Sequence, residues 1–132
     1  MAYLIDSDWL VDLLADVPEA LDLLQHLADE GVATSIISYM EVYQGVERSD
    51  NPREAEARLD ALVESMPLLP ISPAVARRCA RLREALRREG KRANRRALDL
   101  LIAATALEHR LTLVTRNVGD YKDIPGINLY AP

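Results

Sequence analysis

Residues 97–115 read Ala-Leu-Asp-Leu-Leu-Ile-Ala-Ala-Thr-Ala-Leu-Glu-His-Arg-Leu-Thr-Leu-Val-Thr. From Ala97 to His109 apolar side chains occupy nearly every side of a 3.6-residue period, so the predicted helix has no face to give to water and belongs inside the molecule. Leu111 to Thr115 then forms a short apolar strand. A buried helix feeding a strand that is apolar on both faces is the signature of a parallel sheet covered on both sides.

The rest of the chain repeats this alternation. Ala2 to Ile5 is a strand ending at Asp6, with Trp9, Leu10, Leu13 and Leu14 at helical spacing behind it. Pro18 breaks that helix. Glu19 to Glu30 is a second helix, with Gly31 just past its end. Val32 to Ile37 is a second strand entering a helix at Ser38. Another helix follows Asn51-Pro52 through about Ser65, and Leu68 to Ile71 is a brief third strand between prolines. Pro73 opens an Arg-rich helix that ends near Gly90. After the fourth strand at Leu111 to Thr115 comes a polar loop, Arg116 to Asp123, and Ile127 to Tyr130 is read as a fifth strand at the sheet edge. One α/β domain spanning residues 1–132 is expected, a three-layer α/β/α arrangement around a mainly parallel five-stranded sheet.

Composition sets outer bounds. At 132 residues, with 49% hydrophobic and 28% charged, the chain can bury a single core without a staple. Cys79 is the only cysteine, which excludes an intramolecular disulfide and a soft-metal site and reads as a small packed side chain. The N-terminus carries no basic leader, and the longest apolar run, Leu100 to Leu107, falls short of the ~18 residues of a membrane span. A cytoplasmic protein is expected.

The net charge of −5 conceals a strong asymmetry. Residues 77–96 hold ten of the sixteen Lys and Arg against only Glu84 and Glu89, a block of +8 that leaves −13 for the rest. A basic stripe beside carboxylates suits a polyanion that must be steered onto an ion site, and it equally suits a solvated helix face.

In open parallel sheets, ligands bind beyond the carboxyl ends of the strands. That rule selects Asp6 after the first strand, Glu41 after the second, Thr115 to Asp120 after the fourth, and Asp99 in the first turn of the buried helix. Converging carboxylates repel one another unless a cation lies between them, and oxygen ligands without a Cys/His cluster select a hard ion, Mg2+ or Mn2+. Such an ion activates water and neutralises charge on a phosphodiester, with no catalytic histidine required. His26 and His109 accordingly read as packing or surface residues. Each carboxylate also has a structural reading. Glu41 would complete a capping box with Ser38, Asp99 would complement its helix or pair with Arg95, and Asp120 and Asn117 would serve a turn.

Four ordered segments carry a resemblance: Tyr3-Leu-Ile-Asp6-Ser-Asp8, Ile37-Ser38-Tyr-Met-Glu41-Val-Tyr-Gln-Gly45, Ala97-Leu-Asp99-Leu-Leu-Ile102-Ala-Ala-Thr105-Ala106, and Leu113-Val-Thr115-Arg116-Asn117 with Asp120-Tyr121. Over essentially its whole length the chain resembles the PIN-domain ribonucleases, specifically the VapC-type toxins of bacterial toxin–antitoxin pairs. That resemblance implies a five-stranded parallel sheet and Mg2+-dependent endoribonuclease activity. It also implies a homodimer inhibited by a cognate VapB-type antitoxin. Asp6, Glu41 and Asp99 match the family's acidic positions, with Asp120 as the fourth charged member and Asn117 as a neutral ligand or water-positioning group. Ser7, Asp8 and Thr115 are expected to orient the carboxylates, and Arg116 to meet RNA. Asp8 departs from the Asn or Ser common at its position, and would either add a water-mediated metal contact or cap the first helix.

Two other readings compete. A catalytically inactive PIN-fold binding module would bind RNA or a partner protein without cutting. Leu4-Ile-Asp6-Ser-Asp8 also looks like the nucleophile and acid of an aspartate-nucleophile phosphatase. That chemistry relies on a mid-chain lysine, however, and only Lys91 and Lys122 exist here.

Overall fold

The computed structural model describes residues 1–131, and the elements follow the expected alternation. They are β1 (Tyr3–Ile5), α1 (Ser7–Leu14), α2 (Pro18–Leu27), β2 (Val32–Ser35), α3 (Ile36–Glu47), α4 (Pro52–Glu64), β3 (Leu68–Leu69), α5 (Pro73–Arg88), α6 (Ala97–Glu108) and β4 (Thr112–Val114). The sheet runs β3-β2-β1-β4 with every pairing parallel. β1 is central, and its residues Tyr3, Leu4 and Ile5 lie opposite Val32, Ala33 and Thr34 on one side and Thr112, Leu113 and Val114 on the other.

Successive strand residues point to opposite faces, and here both faces are dry. Leu4, Ala33 and Leu113 join the core formed with α5 and α6, whereas Ile5, Val32 and Val114 join Trp9, Leu10, Val42 and Leu59 beneath α1, α3 and α4. These two cores are the three-layer arrangement. As the apolar sequence of α6 requires, six of its twelve residues are buried, Leu100 completely.

Three expectations need correction. The fifth strand shrinks to a single parallel bridge, Leu113 to Leu129, so the sheet has four strands. Leu113 N–H donates to Asn128 O at 2.8 Å and Tyr130 N–H to Leu113 O at 2.9 Å. Second, β2 ends at Ser35 and α3 begins at Ile36. Ser35 Oγ accepts from Ser38 N–H at 2.9 Å, making Ser35 the cap and releasing Glu41 from the capping box. Third, Pro18 does separate the two helices, but the second starts at Pro18 itself, where the missing N–H costs nothing, and ends at Leu27, with Ala28–Glu30 a 3-10 turn.

The burial of α6 sets a stability test. Leu100→Ala should lower unfolding stability by about 2–5 kcal/mol in urea titrations, whereas Leu98→Ala on the exposed edge of the same helix should cost less than about 0.5 kcal/mol. Equal effects would contradict this packing.

Candidate functional site

Asp6 is the hub. It leaves the carboxyl end of the central strand, is only 3% exposed and caps α1. One carboxylate oxygen accepts from Ser7 N–H at 2.8 Å and from Ser38 Oγ at 3.5 Å, and the other accepts from Thr115 Oγ1 at 2.7 Å. Burial pushes its pKa up, the Thr115 hydroxyl and the Ser7 amide pull it down, and the charges of Asp8 and Asp99 push it up again.

Glu41, one and a half turns into α3, faces the same point. Burial raises its pKa and Ser7 opposes that shift by hydrogen bonding, while Asp6, Asp99 and Asp8 raise it further. Asp99, in the first turn of α6, is likewise pushed up by burial and by the charge of Asp120, against a hydrogen bond from Tyr121 and the charge of Arg96. Three carboxylates from β1, α3 and α6 thus share one partly dry region, and each resists ionisation. Four hydroxyls, those of Ser7, Ser38, Thr115 and Tyr121, hold them, so the arrangement keeps its negative charge concentrated.

The expected fourth corner divides in two. Asp120 is exposed at the end of a short 3-10 turn and acts on Asp99, while Asn117 sits on the opposite flank, its amide nitrogen 3.5 Å from Asp8 Oδ2 and its backbone N–H 3.0 Å from Thr115 Oγ1. Asp8 does not cap α1. Its oxygens accept from Trp9 N–H at 2.7 Å and Arg116 N–H at 2.9 Å, pinning the loop after β4. Arg116 is engaged within the fold as well. It bridges to Asp12 Oδ2 at 2.7 Å and lies 3.7 Å above the ring of Trp9. His26 and His109 are exposed, and Cys79 is buried with its thiol pKa raised by that burial.

Tyr121 was not singled out as a site residue on sequence grounds. It is 1% exposed, and its hydroxyl donates to Asp99 Oδ1 at 3.2 Å. Burial and the neighbouring Asp6, Asp99 and Glu41 charges raise its pKa far above the ordinary tyrosine value, so it stays a donor. A buried tyrosine needs a partner for its hydroxyl, and that need was the available signal. The loop carrying Asp120 is clamped from below. Asp123 accepts from Arg96 at 2.8 and 2.9 Å and from Lys91 at 3.2 Å, and Arg96 also donates to Asp120 O at 2.8 Å.

These donors suit a hard divalent ion. They are all oxygen and they carry surplus negative charge, which the charge of Arg96 offsets only at Asp99. Among the described residues no group of three His, Cys, Asp or Glu side chains stands close enough to hold a metal ion directly. A Mg2+ ion here would keep several waters and take one or two carboxylates.

Two measurements follow. Tyr121→Phe should leave the fold intact but weaken Mn2+ binding about tenfold in a calorimetric titration, the cost of losing a group that orients a ligand; unchanged affinity would remove Tyr121 from the site. The second concerns acid stability. Arg96 foremost, and Lys91, hold the Asp123 pKa at about 2, below the ~3.9 of an unfolded aspartate. Its contribution is therefore complete above about pH 4 and disappears as pH falls towards about 2. The stability gap between wild type and Asp123→Asn should close over that window, and a gap constant from pH 6 to pH 2 would contradict the clamp.

Comparison with known proteins places this geometry. The PIN domain family model matches residues 3–126. A ribonuclease named VapC2 from Rickettsia felis is 28% identical over 131 residues, covering 98% of this chain and 96% of that protein. The crystal structure of VapBC2 from Rickettsia felis bound to a DNA fragment from its promoter superposes with a TM-score of 0.87 at 26% identity over 98% of both chains. A toxin–antitoxin complex from Klebsiella pneumoniae gives 0.75 at 31% identity over 96% of this chain and 95% of that one. With Asp6, Glu41 and Asp99 meeting at the carboxyl end of a parallel sheet and the family model spanning nearly its whole length, this chain belongs to the PIN domain family.

Proposed function

We propose that the protein is a VapC-type endoribonuclease, the toxin of a toxin–antitoxin pair, which hydrolyses RNA phosphodiester bonds with Mg2+ or Mn2+. The observation that carries this reading is the trio Asp6, Glu41 and Asp99, whose carboxyl pKa values are all raised, first by burial and then by the charge of neighbouring carboxylates: Asp8 and Asp99 on Asp6; Asp6, Asp99 and Asp8 on Glu41; and Asp120 on Asp99. A site that concentrates negative charge and then must accept a polyanion makes chemical sense only with a cation between them.

In this reading Asp6 and Asp99 hold the ion directly, while Glu41 and Asp120 hold its waters. The bound ion supplies an activated water and offsets charge on the phosphate. Thr115 and Ser7 keep Asp6 oriented, Tyr121 keeps Asp99 oriented, and Asn117 is placed to position water at the Asp8 flank. One water is consumed for each P–O bond broken.

The names of similar proteins support the partner as well. VapBC complexes pair the toxin with an antitoxin, and this chain is proposed to bind a cognate VapB-type antitoxin and to form a homodimer. Ile36 and Met40, exposed one turn apart on α3, support a protein interface there. Among the described residues no helix is long and apolar enough to cross a membrane, and a cytoplasmic location is proposed.

Purified, partner-free protein should cleave total RNA with Mg2+ or Mn2+, and cleavage should vanish in EDTA and in Asp6→Ala. Absence of cleavage with either metal, from folded protein, would favour the inactive binding module.

A further inference from the structure

The ten basic residues of the Arg-rich segment are not spent alike. Arg78 donates to Glu108 at 2.7 Å, and Arg96 and Lys91 are drawn onto Asp123. Arg83, by contrast, finds only the neutral Asn94, at 2.8 Å, and Arg92 and Arg95 have no acidic partner among the described residues. These three line a groove of about 710 Å3 between the last turns of α5 and the segment leading into α6, together with Arg87, Lys91 and Glu84. Five cations there face one carboxylate, and that carboxylate is itself bridged by Arg87 and Arg88.

The groove and the site share a short stretch of chain: Arg95, at the groove, is followed by Arg96, which donates to Asp120 O, and Asp99 lies three residues beyond. Most of the remaining surface repels a polyanion, since outside residues 77–96 the chain carries −13. No aromatic side chain lines the groove, so it offers no surface for stacking bases.

We infer that this groove holds the sugar-phosphate backbone of the RNA flanking the scissile bond, setting affinity and direction of approach without reading sequence. The inference rests on the ribonuclease reading for its ligand. Arg83, Arg92 and Arg95 contact phosphates, and Arg116, already balanced by Asp12, does not. Phosphate contacts of this kind position a nucleic acid, and each contributes about 0.7 to the salt slope for a single strand.

The test uses the Asp6→Ala protein, so that binding is measured without cleavage, and a fluorescein-labelled single-stranded RNA followed by anisotropy across a range of KCl concentrations. Neutralising Arg83, Arg92 and Arg95 to Gln should weaken binding at least tenfold and reduce the log–log salt slope by about 2. The double variant Arg92→Gln/Arg95→Gln, confined to exposed positions, should reduce it by about 1.4. Arg48, Arg53 and Arg110 changed to Gln remove the same charge elsewhere and should leave the slope unaltered. Equal effects of the two triple variants, or no effect of the groove variants because a protein partner rather than RNA fills the groove, would overturn the inference. RNA cleavage by the wild type is scored separately, so a protein that binds through the groove but never cuts would sink the nuclease reading alone.

Discussion

Everything in this site depends on a carboxylate placed where it is costly to put one. Asp6 is nearly inaccessible to water, at the end of the central strand. A buried, unpaired charge is among the most expensive features a fold can carry, and the surroundings of Asp6 show how that cost is reduced. The Ser7 amide, the Thr115 hydroxyl and the start of α1 are aimed at it. These contacts do not balance its charge. They orient the carboxylate, and in the proposed reading a divalent cation would balance it.

Topology does the rest. Because β1 lies between β2 and β4, the chain leaving each neighbouring strand emerges beside Asp6. After β2, the early turns of α3 present Ser38 and Glu41. After β4, the loop presents Thr115, Asn117 and, further on, Asp120 and Tyr121. Asp99 arrives from α6, whose lack of a polar face forces it into the layer beneath the sheet. Charge is left to its two ends, Asp99 in the first turn and Glu108 in the last, and Tyr121 holds Asp99 in place. The core and the site are therefore products of one arrangement. Leu4 and Ile5 pack into opposite cores, and the next residue is the hub of the chemistry.

Much of this was legible before any coordinates because the signals were strong and local. An aspartate directly after an apolar strand, and another within the apolar sequence of α6, stand out against their neighbours. What was not legible depended on competition between nearby groups. The sequence points to Ser38 as the cap, but β2 stops three residues earlier and Ser35 takes that place. That choice frees Glu41 for the site. Arg116 reads as a free cation beside an RNA site, but Trp9, next to Asp8, and Asp12, one helical turn further on, take it up. The fifth strand has an apolar pattern but finds only one rung of the three-residue β4 to pair with. Tyr121 looks like a core aromatic, and its role emerges only from where its hydroxyl points.

The central claim is that three mutually repelling carboxylates await a divalent cation. The most direct measurement is thermal unfolding of the partner-free protein as Mg2+ or Mn2+ is raised, beside the double variant Glu41→Gln/Asp99→Asn. The account predicts that the wild type melts at progressively higher temperature as metal is added. The variant, relieved of repulsion, should be at least as stable as the wild type without metal and should show no metal-dependent rise. A wild type whose melting temperature ignores both ions, or a variant that still responds as the wild type does, would contradict it.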